Sequence, residues 1–182
     1  MNSQEVLERV MNDKSLIEIA EKLSLVSDKS VNLVGGAIID ILDGRVPKDY
    51  DFLFSGISIE NVYKGLMDVE EFEFISDSNT ALTYLFRGKT VQILKKTTTS
   101  DFDFTISKAE INVVNPTVVF FDFTSYKSRK LIPTQSSRDN PILPLRRIPH
   151  WSKKGFECPE ITYQGLLTKL LKDLNEQQNL NS

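Results

Sequence analysis

Apolar residues near the start of the chain recur with the spacing of an amphipathic helix. Over residues 4–25 they return every three or four positions, and the pattern is interrupted near Asn12 and Asp13. The apolar positions are Val6, Leu7, Val10, Met11, Leu16, Ile17, Ala20 and Leu23. A second helical pattern covers residues 59–67. Both segments are therefore predicted to be helices that bury one face.

Short runs rich in β-branched and aromatic residues predict strands between and after these helices. The runs cover residues 31–34, 50–54, 72–75, 81–86, 90–94, 102–106 and 118–121. Asn115 and Pro116 predict a turn, and residues 133–144, rich in Ser, Pro and Asn, predict a loop. This order of elements predicts an α/β (α+β) fold, a mixed sheet with helices packed on one face.

The last periodic segment, residues 162–174, is predicted to be a helix with a leucine face. That face consists of Leu166, Leu167, Leu170, Leu171 and Leu174. By itself such a stripe predicts a helix that packs on the core. It could instead contact a partner protein or a second copy of the chain. A polar tail, residues 176–182, follows.

Length and composition limit the classes of protein to which the chain can belong. The chain has 182 residues, 40% hydrophobic and 26% charged, which predicts one globular domain over residues 1–175. No apolar run approaches the roughly 18 residues that span a bilayer, and the polar start differs from a signal peptide, so we expect a cytoplasmic protein without a membrane partner. Cys158 is the only cysteine and His150 the only histidine, which excludes an internal disulfide and metal sites rich in either residue.

Charge is shared unevenly along the chain. Residues 1–119 hold 12 Lys and Arg against 19 Asp and Glu, whereas residues 120–182 hold 10 against 6. The basic residues of interest are Lys127, Arg129, Lys130, Arg138, Arg146, Arg147, Lys153 and Lys154. With His150 and Trp151 among them, they could contact phosphate and stack a base, or they could form an ordinary solvated surface.

The segment VGGAIIDILDGRVPKDYDFLF, residues 34–54, carries most of the candidate chemistry. A predicted strand runs into Gly35 and Gly36, and a predicted helix over residues 37–43 ends at Gly44. This order favours binding of an anion such as a triphosphate at the glycine turn. In the following strand Asp49 and Asp51 share one face. Paired carboxylates at this spacing favour Mg²⁺, which indicates nucleotidyl transfer.

Three motifs resemble the head domain of class II nucleotidyltransferases, the family of bacterial poly(A) polymerases and CCA-adding enzymes. The first is the Gly35-Gly36 turn with Asp40, Gly44 and the KDYD of residues 48–51. The second, DFTI at residues 103–106, is similar to the family's RDFTIN, and the third, RRIPHWSKKGFECPEIT at residues 146–162, resembles RAIRFAAKLGFEIDPET. The resemblance covers about residues 31–162 and implies the DNA polymerase β-like nucleotidyltransferase fold, as a head without the helical tRNA-gripping domains of longer members.

The resemblance also implies roles for individual residues. Asp49 and Asp51 would be catalytic and would bind Mg²⁺, with Gln92 at the place of a third metal-side carboxylate. The implied nucleotide-binding residues are Gly35, Gly36, Asp40, Lys48, Asp103 and Arg146. Asp40 could instead brace the turn by hydrogen bonds, and Lys48 could be plain surface charge. The implied partners are a nucleoside triphosphate, ATP or CTP, and an RNA 3′ end or another acceptor.

The chain departs from the family pattern at four places. Ile39 replaces an Arg that helps hold the nucleotide, and Gln92 replaces an acidic residue. Asp101 and Phe102 stand where the family carries Arg, and Leu143 replaces the first Arg of the base-selecting EDxxR element, which aligns with residues 139–143. These changes leave two hypotheses: an active small nucleotidyltransferase, or a catalytically degenerate domain retained as a nucleotide-binding, RNA-binding or assembly module.

Overall fold

The fold is described from a computed structural model, which covers residues 1–27, 30–96 and 98–180. The strands are β1 (Ser30–Val34), β2 (Asp49–Ser55), β3 (Phe72–Asp77), β4 (Ala81–Phe86), β5 (Lys89–Leu94), β6 (Glu110–Asn112) and β7 (Thr117–Phe120). The helices are α1 (Ser3–Val10), α2 (Lys14–Val26), α3 (Gly36–Leu42), α4 (Ile59–Met67), α5 (Phe123–Ser128), α6 (Gln135–Asp139), α7 (Ile142–Lys153) and α8 (Glu160–Leu180). A 3-10 helix covers Thr105–Lys108.

All seven strands belong to one mixed sheet, in the order β3-β4-β5-β2-β1-β6-β7. Strands β2 and β5 pair in parallel, and the other neighbouring pairs are antiparallel. The predicted mixed α/β architecture is therefore confirmed. The parallel pair includes β2, the central strand of the seven, which carries Asp49 and Asp51.

One face of the sheet is apolar and buried. In β2, Tyr50 and Phe52 are fully buried, and their register partners in β5, Val91 and Ile93, are fully buried as well. Helices α2 and α3 contact β1, α3 also contacts β2, and α4 contacts β3. Because side chains alternate along a strand, Asp49 and Asp51 belong to the opposite face.

Each of the two N-terminal helices begins at a capping residue. Asn2 and Glu5 form a capping box at the start of α1. Asp13 caps α2, where its Oδ1 atom accepts a hydrogen bond of 2.7 Å from the Leu16 amide. The predicted interruption near Asn12 and Asp13 is confirmed, and its cause is this new N-terminal cap.

The described residues form two compact units that the chain enters alternately. Unit 1 contains Met1–Thr99 and Ala109–Phe121, and therefore the whole sheet with α1–α4. Unit 2 contains Ser100–Lys108 and the chain from Asp122 onward, with α5–α8. The net charge is −6 for the sequence of unit 1 and +3 for that of unit 2. The domain boundary expected at residue 175 stays a prediction.

Three secondary-structure predictions differ from the structure in the later part of the chain. The strand predicted over residues 102–106 is wrong: Phe104 forms an isolated bridge with Pro133, and the 3-10 helix follows. The predicted loop over residues 133–144 contains α6 and the start of α7. Helix α8 continues to Leu180, so most of the expected polar tail is helical.

The leucine face of α8 is only partly covered within unit 2. Leu166 is buried at 3% exposure, whereas Leu171 is 61% and Leu174 45% exposed. The stripe therefore contributes to the core at one end and faces outward at the other. Among the residues that the structure describes, no helix combines the length and the hydropathy that crossing a membrane requires.

Candidate functional site

Two of the three sequence-predicted metal ligands, Asp49 and Asp51, lie at the start of β2, on the polar face of the sheet. Asp49 is exposed, whereas Asp51 is half-buried and its Oδ1 atom lies away from solvent. Tyr50, between them, points to the buried face, where its hydroxyl donates a hydrogen bond of 3.0 Å to Asp13. Burial, followed by the charge of Asp13, raises the pKa of the Tyr50 hydroxyl well above its ordinary value. This anchor fixes which way β2 faces, and with it the direction of both aspartates.

The register of the parallel pair brings Gln92 beside Asp51. Asp49 is opposite Thr90, and Asp51 is opposite Gln92. Partners in register point to the same face of a sheet, so two carboxylates and one side-chain amide share a small polar area. The resemblance alone implied Gln92 as a metal-side residue; the register gives it a face shared with Asp51, and its role as a metal ligand stays a prediction.

The glycine turn lies next to the same aspartates. Val34 is the register partner of Asp51 on the other side of β2, and Gly35 follows it directly. Gly35 has a φ of 75°, a conformation that favours glycine, and its amide donates to the Ala109 carbonyl at 2.9 Å. Helix α3 begins at Gly36. The Gly35-Gly36 turn therefore lies close to Asp51, and phosphate binding there stays a prediction.

Asp40 takes part in a brace at the end of α3. Its carboxylate forms an ion pair of 3.0 Å with Arg45 Nε, and its carbonyl accepts a hydrogen bond of 2.7 Å from the Arg45 amide. Arg45 also contacts Asp43 at 2.8 Å, across the turn at Gly44. This arrangement matches the bracing role, and nucleotide binding by Asp40 stays a prediction. Lys48 is exposed beside Asp49, where surface charge and phosphate binding both remain open.

In unit 2, Asp103 is a buried carboxylate at 4% exposure. Its Oδ1 atom accepts a hydrogen bond of 2.6 Å from Ser107, and its Oδ2 atom lies 3.2 Å from Arg147 Nε. Its backbone carbonyl accepts from the Thr134 amide at 3.1 Å and from the Ser137 hydroxyl. Asp103 therefore connects the 3-10 turn to α6 and α7, and its role in nucleotide binding stays a prediction.

Arg146 and Arg147 differ in their contacts although they are neighbours on α7. Both are exposed, and Arg147 is the one that pairs with Asp103. Adjacent residues on a helix point about 100° apart, so only one of them can face a given partner. The motif resemblance singled out Arg146, whereas Arg147 was only one of the basic residues that could contact phosphate. Arg146 stays a candidate for phosphate contact, because its side chain is solvent-exposed.

Trp151 cannot stack a base, which corrects one expectation for the basic segment. Its side chain is fully buried and packs edge-on against Phe156, with ring centroids 5.5 Å apart. His150, by contrast, is exposed. The basic residues of this segment remain candidates for phosphate contact, but the ring of Trp151 is not available to stack a base.

Glu110 is a polar-face residue that sequence analysis missed. It is opposite Val34 in the β1–β6 register, while Val34 is opposite Asp51, so Glu110 and Asp51 share a face with one strand between them. Its carboxylate accepts hydrogen bonds from Asn32 at 2.6 Å and from Thr99 at 3.4 Å. Strand β6 has only three residues, and a segment that short carries no alternation by which it could be found.

The donor set near Asp51 fits the chemistry of Mg²⁺. Among the described residues, no group of three or more His, Cys, Asp and Glu side chains is arranged to hold a metal ion. Asp49, Asp51 and Gln92 nevertheless supply oxygens from three side chains, two carboxylates and one amide, on one face. Magnesium prefers oxygen ligands, keeps several waters and commonly uses one or two protein carboxylates, so two carboxylates with an amide are sufficient.

Solved structures of CCA-adding enzymes share this fold. The Thermotoga maritima CCA-adding enzyme complexed with tRNA matches with a TM-score of 0.73 and 20% identity, over 97% of this chain and 47% of that one. A CCA-adding enzyme complexed with ATP matches with a TM-score of 0.75 and 18% identity, over 97% and 48% of the two chains. A complex with CTP matches with a TM-score of 0.72 and 20% identity, over 94% and 46%.

These comparisons confirm the fold that the three motifs implied. The chain spans about half the length of the solved structures that it matches. No protein-family model matches the chain, and no curated protein sequence matches it. At about one identical residue in five, the likeness concerns the fold.

Proposed function

We propose that this chain is a magnesium-dependent nucleotidyltransferase that transfers a nucleotide from ATP or CTP to an RNA 3′ end or another acceptor. The observation that carries the proposal is the strand register that pairs Asp51 with Gln92 and keeps Asp49 on the same face. The fold shared with CCA-adding enzymes, whose structures include complexes with tRNA, ATP and CTP, supports it.

Asp49 and Asp51 would hold the magnesium ion, and the Gln92 amide oxygen would add a neutral ligand. When bound, magnesium neutralises charge on the triphosphate and on the departing pyrophosphate. The two aspartates are not equivalent. Asp51 is half-buried and flanked by paired strands on both sides, whereas Asp49 is exposed at the start of β2. We infer that Asp51 fixes the position of the site and that Asp49 adapts to the bound nucleotide.

The reaction replaces a phosphoanhydride bond of the nucleoside triphosphate with a phosphoester bond to the acceptor. The acceptor hydroxyl oxygen forms a bond to the α-phosphorus, the bond from that phosphorus to the bridging oxygen of the β-phosphate breaks, and pyrophosphate leaves. The hydroxyl proton passes to a carboxylate or to water. The protein contributes mainly by orienting the reactants and by complementing their charge. The hydrogen bond from Tyr50 to Asp13 serves that purpose, because it fixes the direction of β2.

A second candidate is a nucleotide-binding, RNA-binding or assembly module without catalysis. Gln92 favours it, since a neutral amide next to Asp51 binds magnesium more weakly than a carboxylate would. The contacts of Asp103 favour this candidate as well. Its hydrogen bond from Ser107 and its ion pair with Arg147 give a residue of the second motif a structural role. This module would bind a nucleotide or RNA without transferring label.

The deciding experiment incubates the purified protein with magnesium, each labelled nucleoside triphosphate and a mixed RNA pool. The wild type should transfer label, and the double variant Asp49→Ala/Asp51→Ala should lose at least about a hundredfold in rate, as expected when metal-ion catalysis is removed. Asp77→Ala is the matched control, because Asp77 is an exposed carboxylate at the end of β3 that pairs with Lys95. This control should transfer label like the wild type.

Each outcome separates the two candidates. Transfer by the wild type and the control alone supports the transferase and identifies its nucleotide. Transfer that persists in the double variant contradicts the site at Asp49 and Asp51. Magnesium-dependent binding of ATP or CTP without transfer favours the module, and binding of RNA alone favours the module without a nucleotide role.

A further inference from the structure

Unit 2 contains a cleft that takes no part in the proposed transfer reaction. Its volume is about 720 Å³, within the range of roughly 300–1,000 Å³ typical of binding pockets. It is lined by α5, by the segment of residues 130–133 that follows it, by α6 and by the first turns of α8. Its charged lining residues are Lys130, Arg138 and Lys169, so we call it the cationic cleft.

The floor of the cationic cleft is aliphatic. Leu131 and Leu166 are almost completely buried and form its base, with Pro133 and Pro159 beside them. Its apolar surface continues outward at Ile132, which is 37% exposed, and at Ile161, which is 84% exposed. An apolar surface that continues from a concave floor to solvent is typical of a site that receives another molecule.

The rim of the cationic cleft is positive. Lys130, Arg138 and Lys169 line it, and none of its lining residues is Asp or Glu. Lys169 forms an ion pair with Asp173, one turn further along α8. Lys130 and Arg138 form no ion pair with any residue that the structure describes, so their charges are available to a ligand.

We propose that the cationic cleft binds an acidic peptide segment that carries a bulky aliphatic side chain. The aliphatic side chain would occupy the floor above Leu131 and Leu166, and the carboxylates would face Lys130 and Arg138. A nucleic acid fits less well. Single-stranded nucleic acids bind largely by stacking bases on aromatic side chains, and no aromatic residue lines the cleft.

Gly165 offers a way to close the cationic cleft without disturbing the fold. It lies on α8 among the lining residues, and a Cβ atom added to it meets nothing within 4 Å. Gly165→Leu should therefore fill the cleft from its wall, and replacing a glycine inside a helix favours the helical state. Gly165→Ala is the matched control, because it gives the same helical benefit while leaving most of the volume open.

The test measures fluorescence anisotropy of a labelled decapeptide of Asp and Glu residues with two central leucines, added to the full chain. The wild type and Gly165→Ala should bind it alike, whereas Gly165→Leu and Arg138→Glu should each weaken binding by about tenfold, equivalent to one lost anchor. Lys153→Glu, a charge reversal on α7 outside the cleft, should change the affinity by less than about twofold. The Asp49→Ala/Asp51→Ala protein should bind like the wild type, because this proposal is independent of the transfer site.

Several results would overturn the proposal. Equal binding by Gly165→Leu and the wild type would exclude the cationic cleft, and equal binding of a peptide with serines in place of its leucines would exclude the aliphatic floor. If a ten-nucleotide oligouridylate binds more tightly and loses affinity in Arg138→Glu, the cleft is a nucleic-acid site instead. If sedimentation shows a wild-type dimer that Gly165→Leu dissociates, its occupant is a second copy of the chain. Circular dichroism of every variant confirms that the fold is intact.

Discussion

Asp51 of β2 and Gln92 of β5 are direct partners across a parallel pair of strands, so a carboxylate and an amide lie side by side on the polar face of the sheet. Because of this pairing, the side chain at position 92 determines how much negative charge lies beside Asp51. A second carboxylate at the same place would repel the first and would attract a divalent cation more strongly.

We therefore expect Gln92→Glu to have opposite effects with and without magnesium. Without the ion the variant should unfold at a lower temperature than the wild type, because two like charges become neighbours. With magnesium the order should reverse, and magnesium affinity should rise by about tenfold. Thermal unfolding across a magnesium titration measures both effects. Gln92→Leu, which removes the oxygen, should bind magnesium less tightly than the wild type, and a flat response in the Glu variant would exclude Gln92 from the metal site.

The pairing of Asp103 with Arg147 predicts a difference between two adjacent arginines. Arg147→Ala leaves the buried Asp103 carboxylate without its cation and should cost about 1–3 kcal/mol in the free energy of unfolding. Arg146→Ala removes an exposed side chain and should stay within about 0.5 kcal/mol. Denaturant unfolding of the two variants measures the difference. Equal losses would mean that the Asp103–Arg147 contact contributes nothing, while weaker nucleotide binding in Arg146→Ala alone would support the motif assignment.

Removing the hydroxyl from each of two buried tyrosines should change the stability of the fold in opposite directions. The Tyr84 hydroxyl is buried without a hydrogen-bond partner among the described residues, so Tyr84→Phe should leave stability unchanged or raise it by up to about 1 kcal/mol. Tyr50→Phe breaks the bond to Asp13 and should cost about 0.5–1.5 kcal/mol. A loss of stability in Tyr84→Phe at neutral pH would indicate a hydrogen bond that the structure lacks.

The same tyrosine gives a prediction at high pH. Burial, then the nearby Tyr63 and Asp77, raises the pKa of Tyr84 to about 12, above the ordinary value of 10. The unfolded chain therefore ionises first, and the wild type loses stability as the pH rises from 10 towards 12. The Phe variant lacks this contribution, so the stability difference in its favour should widen over that range in urea titrations.

Asp122 should contribute stability at neutral pH that disappears in acid. Burial raises the pKa of its carboxyl, but hydrogen bonds from Ser125, Thr105 and the Thr124 backbone outweigh burial and hold the pKa below the ordinary 3.8. The stabilisation is therefore complete above pH 3.8 and is lost as the pH falls through the lowered pKa. Asp122→Ala, which also removes the N-cap of α5, should cost about 1 kcal/mol at pH 7. The gap between variant and wild type should narrow below pH 3.8, and a gap that is constant with pH would mean that the carboxylate charge is unimportant.

Local patterns predicted some elements to the residue. The helix Ile59–Met67 was predicted because its apolar positions follow a period of 3.6, and the strand Ala81–Phe86 because it is a short apolar run that contains aromatic residues. The error at residues 102–106 has a local cause. Its aromatic residues resemble a strand, but Ser107 bonds to the Asp103 side chain and to the Phe104 backbone and so closes a 3-10 turn.

The candidate site, too, was predictable from the sequence only in part. Local sequence is sufficient for the face shared by Asp49 and Asp51, because that relationship depends on strand alternation alone. The partners of those residues depend on pairings across the fold. Glu110 reaches the polar face through a register with β1, and Asp103 meets Arg147 rather than Arg146 through the rotation of α7. Neither pairing has a signature in the sequence of one element.

The position of β1 in the sheet has a consequence for synthesis of the chain. Its partner β2 begins after the 14 residues that separate Val34 from Asp49, but its other partner, β6, emerges only after the 75 residues that separate Val34 from Glu110. At roughly 5–20 residues per second, β1 remains an open edge for about 4–15 seconds. A truncated product that ends before β6 would keep that edge open permanently, with buried Val31 and Leu33 beside it, and would be prone to pair with other chains.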